Sequence, residues 1–103
     1  MPPTDGKSML HELVELFLEE APPRLARIGE SVNDPPQLAF NAHALKSISL
    51  NLGARRLIDV CQKLETIGQT GSLDGASALV QELQTVFTQT KAQLLPLRGP
   101  SGS

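Results

Sequence analysis

Apolar residues recur along this chain at three- and four-residue steps, with no stretch of strict alternation, so the pattern predicts helices and no strands. Leu10, Leu13, Val14 and Phe17 form the first stripe, predicting a helix from about Ser8 to Glu20 with Glu12, Glu15 and Glu19 as a solvated edge. Pro22-Pro23 should break or bend it, since proline lacks the amide donor and clashes with the preceding turn. A first turn tolerates proline, so a new segment is expected to continue through Leu25 and Ile28. Asp34 is placed to cap the next helix and Pro35 to open it, with Gly53 placed to end it after Leu52. A third helix is predicted from about Ala54 to Ile67, carrying Leu57, Val60, Cys61, Leu64 and Ile67 on one stripe and closed by Gly68 and Gly71. Ser72 or Asp74 should cap the last helix, whose inward residues are Leu79, Leu83, Val86, Phe87 and Leu94.

Amphipathic helices joined by short turns cannot bury their stripes separately. The expected fold is therefore all-α: an antiparallel four-helix bundle with a short additional N-terminal helix, before Pro22, lying across or capping it. Residues 1–7 read as a polar lead-in with Thr4 or Asp5 as candidate caps, 8–95 as the bundle, and 96–103 as a flexible tail.

The helix over 35–52 has two distinct faces. Leu38, Leu45 and Leu52 recur every seven residues on one, flanked by Ala42, Ile48 and Ser49. His43, Lys46, Ser47 and Leu50 fall on the other, at offsets of zero, three, four and seven. A histidine opposite the apolar stripe points outward, where another protein can reach it. Histidine has an ordinary pKa of ~6.5, so an accessible ring offers a neutral nitrogen nucleophile near pH 7.

Composition narrows the alternatives. The 103 residues suffice for one domain with one modest core. A net charge of −2 and only three aromatic residues, Phe17, Phe40 and Phe87, speak against a nucleic-acid surface. The single cysteine, Cys61, precludes an intramolecular disulfide and sits on an apolar stripe, as a buried structural thiol would. No apolar run approaches the ~20 residues that span a bilayer, and the polar, proline-containing start does not read as a signal peptide, so a cytoplasmic location is expected. Two histidines on different helices, without a Glu-x-x-His pair, give no support to a metal-binding bundle. His11 has no motif around it and reads as a plain surface or partly packed residue.

The run Ala42-His43-Ala44-Leu45-Lys46-Ser47, then Ser49, then Asn51-Leu52-Gly53-Ala54, resembles the signature of histidine-containing phosphotransfer (HPt) domains of two-component phosphorelays. Leu16-Phe17-Leu18-Glu19-Glu20-Ala21-Pro22 resembles the family's first helix and its kink, and Cys61-Gln62-Lys63-Leu64-Glu65 with Gly68 the helix after the active one. Two positions depart from the pattern: Ser47 stands where glycine is usual, and Leu50 where the residue is usually small.

The resemblance implies that His43 accepts a phosphoryl group from a receiver-domain aspartate, through Nε2, and passes it to another receiver or back. It implies no cofactor of the chain's own, with magnesium on the receiver, and no autonomous catalysis. Such modules often belong to hybrid sensor histidine kinases, here as a cytoplasmic C-terminal piece, and a monomer is expected. Lys46 could place charge beside the arriving oxygens, with Arg55 and Arg56 adding to that field if the turn brings them near. Ser47 would matter for being small, and its hydroxyl could bond a phosphoryl oxygen. Leu50, flanked by Ala39 and Ala54, is a candidate docking contact. The competing reading is an interaction-only helical adaptor in which His43 is incidental.

Overall fold

The computed structural model describes residues 9–97, which form α1 (Met9–Glu30), α2 (Pro35–Leu52), α3 (Arg55–Thr70) and α4 (Ala76–Leu94), followed by a 3-10 turn at Leu95–Leu97. The lead-in with Thr4 and Asp5, the helix start at Ser8 and the end of the tail lie outside the described residues. No strand occurs among the described residues. Each helix turns back on the last, α1 packs on both α2 and α4, and α2 and α3 share the most extensive interface. The result is a four-helix bundle.

Phe17, Ala21, Ile28, Leu38, Leu45, Leu57, Leu64 and Leu83 meet in the core, each almost fully buried. Burial of one such leucine or phenylalanine contributes about 1.5–3 kcal/mol relative to exposure. Phe17 and Phe87 join α1 to α4 with ring centroids 5.9 Å apart. Cys61 is buried among them, and its burial pushes the thiol pKa up to about 12.

Two expected boundaries are corrected. The Pro22-Pro23 pair does not break α1, which runs unbroken through it, so the expected additional N-terminal helix is the first half of α1. Both prolines are exposed, so the carbonyls left without amide partners lie toward water. Phe17, Ala21 and Ile28, buried before and after the pair, anchor both halves to the same core. Gly68 likewise does not end α3. It lies buried inside the helix, where a Cβ would sit 2.6 Å from the Pro35 carbonyl oxygen and 2.8 Å from the Ala39 Cβ. Glycine is there for close approach of α2 and α3; Gly71, at φ +81°, is the terminator.

The caps divide similarly. Asp34 caps α2 as expected, its carboxylate accepting from the Gln37 amide, with proline in the first turn. Gly53, at φ +66°, ends α2: its N–H donates to Leu50 O and that of Ala54 to Ser49 O. Neither Ser72 nor Asp74 caps α4, which starts from Gly75 at φ +83° without a side-chain cap. On α4, Leu83, Val86 and Phe87 are buried as expected, Leu79 and Leu94 are half-buried, and Ala76 and Val80 join the core.

Candidate functional site

The two-residue link Gly53-Ala54 folds α2 and α3 into a tight hairpin, which fixes what stands opposite what. His43 lies ten residues before Gly53, and Glu65 eleven after Ala54, so the two side chains meet across the interface. Glu65 Oε2 lies 2.9 Å from His43 Nδ1, and Glu65 Oε1 accepts from Lys46 Nζ at 2.7 Å. Lys46 Nζ also donates to Gln62 Oε1 at 3.0 Å. The carboxylate thus bridges the imidazole and the ammonium.

Burial differs sharply within this group. The His43 side chain is 58 % exposed, whereas Glu65 is buried and Lys46 half-buried. A buried carboxylate needs compensation, and here a cation and the imidazole both supply it. The Lys46 hydrogen bond, followed by that of His43, outweighs the effect of burial and holds the Glu65 pKa below the ordinary carboxylate range. Glu65 therefore stays ionised at neutral pH. With a neutral ring, an ionised acceptor at Nδ1 requires the proton on that nitrogen and leaves the lone pair on Nε2. His43 Nε2 makes no hydrogen bond among the described residues.

The other predicted site residues are placed as follows. Ser47 is exposed one turn beyond His43, and its hydroxyl donates to the His43 carbonyl oxygen at 3.1 Å. The side chain is small, and its rotatable hydroxyl is spent on its own helix in this arrangement. Lys46, one turn from His43, pairs with Glu65, the carboxylate that also contacts the His43 ring. Leu50 is 56 % exposed on the same helix face as His43. Ala39 is half-buried against Gly68, and Ala54 half-buried against the core. Arg55 is exposed at the start of α3. The turn does not bring Arg56 to His43: its Nη1 donates to Gln89 Oε1 on α4 at 2.9 Å, on the α3–α4 side.

Sequence reasoning passed over Glu65, Gln62 and Phe40 as site residues. For Glu65 a signal exists, since it follows Cys61 by four residues and precedes Gly68 by three, which puts a charge on the inward stripe of α3. Phe40 precedes His43 by three residues on the outward face of α2 and is 67 % exposed. His11 is half-buried on α1.

No group of three or more His, Cys, Asp or Glu that could hold a metal occurs among the described residues, and no described helix is long and apolar enough to cross a membrane. Compared with known proteins, residues 12–93 match the family model described as Hpt domain. No curated protein and no solved structure matches the chain.

Proposed function

This chain belongs to the Hpt domain family, which performs histidine phosphotransfer in two-component signalling through receiver domains, and we propose that His43 is the residue that carries the phosphoryl group. The observation that supports this best is the contrast within one hydrogen-bonded group: an exposed imidazole held at Nδ1 by a buried carboxylate. In the proposed reaction the Nε2 lone pair attacks phosphorus on a receiver's aspartyl phosphate. An Nε2–P bond forms, and the P–O bond to the aspartate breaks, returning the electron pair to its carboxylate. Positive charge develops on the ring as this happens, and Glu65 stabilises it through the Nδ1–H bond. Lys46 offsets the negative charge that Glu65 would otherwise present to the incoming phosphoryl group.

The magnesium of the reaction is assigned to the receiver, and no cofactor to this chain. The chain turns over only with a receiver, as a cytoplasmic monomeric module; its place in a hybrid sensor kinase belongs to the same proposal.

Incubation with phosphorylated receiver domains tests the reading. The wild-type chain should acquire an acid-labile, base-stable modification that maps to His43, and His43→Ala should fold and still bind the receiver without taking label. An interaction-only adaptor would bind in both forms and be labelled in neither.

A further inference from the structure

We infer that Phe40 and the cleft beside it form a docking contact for the receiver domain, so that Phe40 and Leu50 bracket His43 with apolar contacts. This rests on the carrier role proposed for His43. Of the three phenylalanines, Phe17 and Phe87 are buried in the core, whereas Phe40 is 67 % exposed. The fold makes little use of its ring. Phe40, His43, Ser47 and Leu50 follow one another at steps of three, four and three residues, so they share the outward face of α2. At 1.5 Å per residue Phe40 lies about 5 Å along the axis from His43, and Leu50 about 10 Å in the other direction.

Those distances decide what a partner must touch. Even a small transient interface of about 600 Å² per partner, taken as a disc, has a radius of about 14 Å. A receiver centred on His43 Nε2 therefore covers both residues. Two exposed apolar side chains on either side of the reacting atom gain from being covered, and together they fix the receiver's direction along the helix.

The ground beside Phe40 is already set. Beside Phe40 a cleft of about 430 Å³ opens between the end of α1 and α2, and its other walls are polar: Arg27, Glu30, Ser31, Asp34, Gln37 and Asn41. At its edge Asn41 Nδ2 donates to Ser31 Oγ at 3.2 Å, and Ser31 Oγ donates to the Arg27 carbonyl oxygen at 2.7 Å. These bonds tie the end of α1 to α2, so the wall against which Phe40 stands is built before any partner arrives. The occupant is the receiver domain, which covers the Phe40 ring with an apolar contact and meets the polar walls beside it with polar groups.

Calorimetric titration of the receiver that labels the wild-type chain tests this on full chains. Phe40→Ala should weaken binding fivefold or more without lowering the melting temperature, and Phe40→Leu should recover most of the loss. Met9→Ala removes a side chain that is 74 % exposed near the opposite end of α1 and should leave binding unchanged. Less than a fivefold loss in Phe40→Ala, or an equal loss in Met9→Ala, overturns the docking contact. If wild-type takes label while Phe40→Ala binds normally, only this inference fails; if no receiver labels wild-type, the carrier role falls and this inference with it.

Discussion

Glu65 holds His43 by Nδ1, the ring nitrogen that the proposed transfer leaves unused. Its Oε2 lies 2.9 Å from Nδ1 across 22 residues of sequence, and Lys46 occupies the carboxylate's other oxygen. That single contact decides which imidazole nitrogen is available and keeps a compensating negative charge beneath the ring.

The same contact links stability to pH. Glu65 has a folded-state pKa below its ordinary value of 4.5, chiefly through the Lys46 hydrogen bond. Its contribution is therefore complete above pH 4.5 and is lost as pH falls through the lower, folded-state pKa. Thermal melts of wild-type and Glu65→Gln from pH 6 to pH 3 should show a gap that closes on acidification. A gap that widens would have the wrong sign.

Lys46→Ala leaves a buried carboxylate with the imidazole as its one remaining partner. Loss of a charge-assisted hydrogen bond of this kind costs about 1–3 kcal/mol. Denaturant titration should register that loss, and the variant should hold less phosphoryl at equilibrium with its receiver. Wild-type stability and occupancy would show that the ammonium is an ordinary solvated charge.

Ser47→Arg puts a long side chain one turn from His43 on an exposed position. Helicity should be retained and stability should change by no more than about 0.5 kcal/mol, as at other surface sites. Phosphoryl transfer should slow tenfold or more, because bulk stands where the receiver approaches. Transfer at the wild-type rate would remove the steric role assigned to this position.

Gly68→Ala tests the seam between α2 and α3. The added Cβ would meet backbone atoms of Pro35 and Ala39 at 2.6 and 2.7 Å, and neither is the end of a flexible side chain. Despite alanine's better helix propensity, overpacking should cost about 1–3 kcal/mol. A gain in stability on chemical denaturation would contradict the close approach described here.

Much of this arrangement was legible before any coordinates. The outward His43 and the Asp34 and Gly53 boundaries of α2 follow from period and capping alone. The proline pair was misleading because its local cost is outweighed by core contacts on both sides, which no local pattern displays. Gly68 is ambiguous in sequence for a related reason: glycine serves equally to end a helix and to let two helices touch. Glu65 was the missed opportunity. Once Gly53 closes the hairpin, counting outward from the turn sets Glu65 against His43 and Gln62 against Lys46. Arg56 went the other way because it precedes Glu65 by nine residues, about two and a half helical turns, which puts it on the opposite side of α3, toward α4.

The most direct measurement is nitrogen-resolved NMR of the imidazole after loading from a phosphorylated receiver. The phosphoryl group should be found on Nε2 of His43, with the Nδ1 proton still hydrogen-bonded to Glu65. Phosphorus on Nδ1, or on any other side chain, would contradict the account.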